Sequence, residues 1–524
     1  MSRRVSRRGF LAATAGAAGV AGLAGLGAPT VAGLLIPGQP GRQLRSQLPL
    51  PRPFQVPLPV PPVLTPTQSD LSTDYYNITQ QVSDHIVIPG MSTPMWTYGG
   101  SFPGPTIASR SGRRTVIRHR NELPQPSVVH LHGGHTPPES DGYPTDLLLP
   151  VGGGDMPMSM AGMPADPAAS IITGERDYIY PLDQRAATLW YHDHRMGFTA
   201  ATMWRGLAGF HLVHDDEEAA LALPAGDRDI PLMITDRAFA ADGALLYPAL
   251  DPTMTHTPGV TAPYANGVTG DVILVNGAAW PLLEAEAARY RLRILNASNS
   301  RNYRLALHPP PPGGGGLVQI GSDGGLLTAP LAHDAIDIMP AQRFDLVVDF
   351  SRYRPGTTVD VVNLLGTGPT TSVMRIQIGR AVADDSTVPT RLSAIEPLDP
   401  TRSAVTRTFL FQNIGPTEGW AINGTPFDPA RADATPRLGD IEIWRFVTDF
   451  NHPIHLHLIS FQVLSRNSTT PSAYDQGWKD TVALHPAEEV EIITRFTGYP
   501  GRYAFHCHNL EHEDMAMMAN FVTT

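Results

Sequence analysis

Many short apolar runs recur along the chain between turn signals rich in glycine and proline. No long stretch carries apolar residues at helical spacing. Three of the runs resemble one another: Thr115–Asn121 (TVIRHRN), Tyr290–Asn296 (YRLRILN) and Ile443–Val447 (IWRFV). Asn276-Gly277 and Asn423-Gly424 are matching hairpin-turn signals. Alternating strands at this spacing predict an all-β chain of β-sandwiches with Greek-key links, in three weakly repeated units at about 67–215, 229–378 and 406–524. Residues 379–405, with several Pro, Asp and Ser, read as a linker, and the Pro-rich residues 33–66 as an extended arm.

Composition changes this picture little. A length of 524 residues suits two to four domains, and 49 glycines and 51 prolines agree with all-β. A hydrophobic content of 42% is ample for packed cores, and a net charge of −11 argues against nucleic acid as a partner.

The N-terminus adds a destination. Ser6-Arg7-Arg8-Gly9-Phe10-Leu11 leads into an Ala/Gly-rich apolar stretch to about Ala28, with Thr30-Val31-Ala32 as a small-residue cleavage site. Residues 1–32 read as a twin-arginine export signal, which places the mature protein in the periplasm, the cell envelope or outside the cell. An uncleaved membrane anchor is the competing reading, disfavoured because the stretch is poor in Leu, Ile and Phe. No later segment is apolar enough to span a membrane, so no stable membrane insertion is expected after signal removal.

Candidate chemistry lies in four clusters: His130-Leu131-His132, His192-Asp193-His194, His452-Pro453-Ile454-His455-Leu456-His457, and His506-Cys507-His508 followed by His512 and Met517. Residues i and i+2 of a strand face the same way, about 6.6 Å apart. The pairs His130/His132, His192/His194, His455/His457 and His506/His508 can therefore converge on one cavity between the first and third units. Eight imidazoles are too many for one metal and about right for three. Histidine alone does not name the metal. Cys507, the only cysteine, must face the other side of its strand, where it can meet His452, His512 and Met517. Two histidines, a thiolate and a thioether are the ligand set of a blue-copper site. Met515 and Met518 lie close by, and a packed core methionine would look the same in sequence. The nine other histidines, His135, His211 and His485 among them, read as packed or solvated residues.

These motifs resemble the multicopper oxidases over nearly all of residues 67–524, and within that family the bacterial spore-coat laccases, bilirubin oxidases and phenoxazinone synthases. The resemblance is carried by His130–Pro144, Trp190–His194, the His-Pro-x-His-Leu-His and His-Cys-His motifs, Gly477–Asp480 and His512–Asp514. It implies three cupredoxin-like domains, the middle one without metal ligands, and four copper ions. By resemblance, His130 and His455 are type 2 ligands, and His132, His192, His194, His457, His506 and His508 hold the type 3 pair. His452, Cys507, His512 and Met517 would be the type 1 ligands. Asp141 and Glu513 match acidic residues that assist proton delivery to oxygen; Asp141, in a Ser-Asp-Gly sequence, also reads as a plain turn residue.

The implied activity is laccase-like: one-electron oxidation of phenolic or aromatic donors at type 1 copper, coupled to four-electron reduction of O2 to water. Partners are then O2 and a small reducing substrate. Four methionines within Met156–Met163 leave a second reading open, a cuprous oxidase that takes Cu(I) as donor, beside the plainer one of a flexible loop. A reading of another class is an exported cupredoxin scaffold without activity; the complete ligand set argues against it. Phenols, bilirubin, aminophenols, manganese and copper all remain open as donors, and the oligomeric state is not specified.

Overall fold

The computed structural model describes residues 41–153, 165–415 and 419–524. The expected export signal, the first part of the arm and the Met156–Met163 stretch lie outside the described residues.

Three pairs of facing sheets follow one another along the chain. In the first, a five-stranded sheet is built on Glu175–Tyr180, Arg114–Asn121 and Thr73–His85. It faces a four-stranded sheet ordered Gly104–Arg110, Ala208–His214, Ala187–Asp193 and Val129–His132. The middle pair has seven and five strands. The last has five strands facing four, the four being Thr481–Leu484, His452–Leu456, Gly501–Cys507 and Met518–Thr523.

The three similar apolar runs take one structural role. Arg114–Asn121 pairs in parallel with Thr73–His85, Arg289–Asn296 with Asp229–Arg237, and Ile441–Thr448 with Ser403–Gly415. Each thus pairs in parallel with the first long strand of its sandwich. In Arg114–Asn121 every second side chain is buried, so Thr115, Ile117, His119 and Asn121 line the core while Arg114 and Arg118 reach water. The Asn-Gly signals form hairpins: Asn276 and Gly277 both have positive φ and join Val272–Val275 to Ala278–Ala279, and Asn423-Gly424 closes the bridge of Ile422 to Thr425.

The arm is extended and docked. Arg42–Gln43 pairs with Val268–Thr269, Pro57 bridges Leu282, and Val63 bridges Thr106. The expected linker is shorter than read from sequence. Ser372–Ala381 runs three residues into it and Ser403–Gly415 begins three residues before its end, because ladder pairing continues past the apolar pattern. Between them Asp384 accepts from the Arg289 backbone N–H at 2.8 Å, fastening the segment to the middle sandwich. No helix among the described residues is long and apolar enough to cross a membrane.

Candidate metal centre

Strand pairing gathers the histidine clusters. His192 lies opposite His130, and His455 opposite His506. All eight imidazoles are buried, at 1% exposure or less. Burial pushes His130, His132, His455, His457 and His508 well below the usual histidine range, and His192 down to about 3. These rings are therefore neutral at pH 7, each with one nitrogen lone pair free to coordinate.

Which nitrogen is free follows from what holds the other. His130 Nδ1 donates to the Asp141 carbonyl at 2.5 Å, and His455 Nδ1 to the Asp480 carbonyl at 2.9 Å. Their Nε2 atoms meet at 3.3 Å. His457 Nδ1 donates to Asp141 Oδ2 at 2.7 Å, and its Nε2 lies 3.2 Å from the Nε2 of both His194 and His506. Glu513 sits behind those two rings, with one oxygen 3.1 Å from each Nδ1. His192 Nδ1 is tied to the Asp193 carbonyl and His132 Nε2 to Asp480. The remaining atoms, His192 Nε2, His132 Nδ1 and both nitrogens of His508, have no hydrogen-bond partner among the described residues. Nε2 contacts thus join His130 to His455, and His457 to both His194 and His506, while the ring centroid of His508 lies 5.1 Å from that of His132 and 5.3 Å from that of His192.

On the other face of Gly501–Cys507, Cys507 Sγ lies 3.3 Å from His452 Nδ1 and 3.7 Å from His512 Nδ1, and those two nitrogens are 3.1 Å apart. Burial raises the Cys507 thiol well above its usual range, the reverse of what a thiolate needs; a bound cation offsets that. Met517 is fully buried in the apolar cluster that contains Cys507, and its carbonyl accepts from the Cys507 N–H at 3.1 Å. Met515 is only partly buried, and Met518 packs with Tyr143 and Met196 instead.

Buried imidazole lone pairs, with a thiol on the opposite face of the same strand, fit a soft or borderline metal. In both regions at least three ligand atoms lie within 4.8 Å of one another: His194, His457 and His506 in one, His452, Cys507 and His512 in the other.

Asp141 ends the short helix Pro138–Asp141 and is fully buried; burial pushes its carboxyl up to about 7. Burial would raise Glu513 too, but His506 and His194 beside it hold it well below the usual carboxylate range. His211 is buried and bonded to Ser109, and His135 pairs with Asp183 toward solvent, so neither joins the cluster.

Two residues that ligand spacing does not single out also belong here. Trp420 stacks on His512 with ring centroids 3.7 Å apart and donates to the Ala265 carbonyl. Asp480 contacts His132 and, through its carbonyl, His455. A lone aspartate gives no sequence clue to such a place; Asp480 stands out only as part of the Gly477–Asp480 stretch.

Residues 395–524 and 81–218 each match a multicopper oxidase family model. The chain is 38% identical over 518 residues to a laccase of Bacillus stratosphericus, covering 88% of this chain and 97% of that one. It is 36% identical over 518 residues to a bilirubin oxidase of Albifimbria verrucaria, covering 92% and 82%. Among solved structures, the laccase of Pediococcus acidilactici Pa5930 superposes with a TM-score of 0.78 at 30% identity, covering 92% and 96%. The chain belongs to the multicopper oxidase family. It is an oxidoreductase with cupredoxin-like domains, and the family implies copper at its histidine clusters.

Proposed function

We propose that this chain is a laccase-like oxidase that carries four coppers and couples oxidation of phenolic or aromatic-amine donors to reduction of O2 to two waters. The observation that carries the reading is the placement of Cys507: its sulfur faces His452 and His512, while the residues bonded to it on either side, His506 and His508, face the cluster. In this reading His452, Cys507, His512 and Met517 hold the type 1 copper, His130 and His455 the type 2, and the triplets His194/His457/His506 and His132/His192/His508 the type 3 pair. When bound, copper supplies the one-electron redox steps and the O2 chemistry that no side chain here can perform.

The chain's own part is geometry and protons. His506-Cys507-His508 makes a covalent route of a few bonds from the donor side to the cluster. Asp141 and Glu513 stand behind His457 and behind His194 and His506, in place to fix those rings and to pass on the protons that oxygen needs. The donor class rests on the laccase and bilirubin oxidase relatives. The twin-arginine segment supports export of the folded protein.

Metal analysis with oxygen uptake on a donor panel tests the reading. Four coppers per chain and one O2 consumed per four one-electron donors are expected, with phenols or aromatic amines fastest. One copper or none, or no O2 uptake, overturns it. A preference for Cu(I) moves the chain to the cuprous-oxidase reading.

A further inference from the structure

We infer that Arg343, on the middle sandwich that offers no copper ligand, is a positioning residue for the copper cluster: through Asp480 it fixes the ring of His132. The inference rests on the copper assignment proposed above.

Four charged side chains are buried side by side here: Arg343 at 1% exposure, Asp480 at 2%, Asp323 at 0% and Lys479 at 1%. Two positive and two negative charges leave the group neutral. Burying them is nonetheless costly, and such a group is weak as a source of stability. Its geometry shows a more specific use. Arg343 opens the strand Arg343–Asp349, and all five of its side-chain N–H groups are taken. Nε donates to the Thr188 carbonyl of the first sandwich at 2.9 Å. Nη1 donates to the Ala341 carbonyl at 3.0 Å and to Asp480 Oδ1 at 2.8 Å. Nη2 donates to the Asp323 carbonyl at 3.2 Å and to Asp480 Oδ2. The guanidinium thus grips the Asp480 carboxylate with both arms while it touches the first sandwich.

So held, Asp480 orients two imidazoles. Its Oδ1 accepts from His132 Nε2 at 3.0 Å and from Thr481 Oγ1 at 2.8 Å. A ring that donates through Nε2 presents its lone pair at Nδ1, and Nδ1 is the atom of His132 left without a partner. The Asp480 carbonyl holds His455 by Nδ1 and leaves Nε2 facing His130. One residue therefore decides that two rings coordinate through opposite nitrogens. The fork has a second effect. Ligand atoms of Asp480, His132 and His455 lie within 4.8 Å of one another, so an unrestrained carboxylate could itself bind the metal. Arg343 occupies both of its oxygens and keeps it behind the rings.

Arg343→Lys keeps the charge and loses the fork. Arg301→Lys, at another buried pair of the same sandwich, Arg301–Asp236 at 2.7 Å, controls for general loss of stability. Copper per chain, the type 2 electron-spin signal, blue absorbance and melting temperature are read for each copper-loaded protein. For R343K we expect the blue band to persist, cluster copper to be held about 10-fold or more weakly, and the type 2 signal to change shape. R301K should lose melting temperature alone. R343K with a full copper count and an unaltered type 2 signal overturns the inference, as does a loss of blue and cluster copper in equal measure. Should R343K not fold, R343Q/D480N removes both charges together, so that neither partner of the pair is left as an uncompensated buried charge; it should be blue but cluster-defective, and an intact cluster in it overturns the inference. Wild type holding fewer than four coppers would instead bring down the copper assignment beneath it.

Discussion

The Nε2 atoms of His130 and His455 lie 3.3 Å apart although 325 positions separate them in the chain. Both nitrogens carry lone pairs, because each Nδ1 donates to a backbone carbonyl behind it. Lone pairs aimed at one another across the seam between two sandwiches repel unless a cation lies between them. The metal-free protein is therefore expected to be the less stable form, with its first and third sandwiches less firmly joined. Loading copper at 1,000 times its dissociation constant adds about 4 kcal/mol per site. Calorimetry of chelator-treated and reloaded protein should show a large rise in melting temperature on reloading; equal temperatures would remove the seam from the explanation.

Cys507→Ser separates the two metal regions. Serine keeps the size of the side chain but provides neither a soft ligand nor a thiolate. The blue absorption and essentially all donor oxidation should vanish together, while His506 and His508 still face the cluster and its type 2 electron-spin signal persists. Absorption and spin spectra on one sample decide it, and a variant that stays blue contradicts the placement of Cys507 in a copper site.

The ligands were legible because each cluster is local: two histidines at i and i+2 share a face whatever the rest of the fold does. The sandwich repeat was legible for the same reason, since TVIRHRN, YRLRILN and IWRFV carry the period of a half-buried strand. Asp141 was half legible. Its turn chemistry was visible, but its contact with His457 joins residues 316 positions apart. Arg343, Asp480 and Trp420 were not legible as site residues. Each acts through a partner on another element, and no spacing in one sequence records that Arg343 of the middle sandwich meets Asp480 of the last. The arm's pairing with Val268–Thr269 is likewise a long-range choice that proline content alone does not make.

Asp141→Asn and Glu513→Gln keep the shape of each side chain and remove its capacity to carry a proton as a carboxylate. Turnover should fall about 100-fold in each. Mixing the oxidised enzyme with donor under anaerobic conditions should bleach the blue band at the wild-type rate, and reoxidation by O2 should be slow. A variant slowed in bleaching instead would place the carboxylate on the donor side.

Gly142 closes the short helix that carries Asp141, with φ +81°, and a Cβ there would meet the Val129 carbonyl oxygen at 2.2 Å and His130 Cα at 2.6 Å. Neither is the mobile end of a side chain, so the strand holding His130 must move. Gly142→Ala should cost at least about 1–3 kcal/mol from backbone strain and lower cluster copper retention as well. Denaturant unfolding and metal analysis read the two effects. Full copper retention would show that the strand accommodates the methyl group without displacing His130.

Acid should destabilise the fold through two histidines outside the four ligand clusters. His119 is packed between Tyr98 and Tyr178, and His211 is buried against Tyr180; burial pushes both down to about 3. In the unfolded chain each titrates near 6.5. Between about pH 6.5 and 3 the unfolded state therefore binds protons that the folded state refuses. Stability is unaffected by these groups above that window and falls as pH drops through it, by about 1.4 kcal/mol per pH unit for each ring. His211→Gln places an amide N–H near the Ser109 hydroxyl that His211 Nε2 reaches at 2.9 Å, and it cannot titrate. Urea unfolding of the metal-free proteins from pH 7 to 4 should give a wild-type curve steeper than that of H211Q by about one proton's worth. Parallel curves would mean that His211 is already protonated in the folded state or that the unfolded chain keeps it buried.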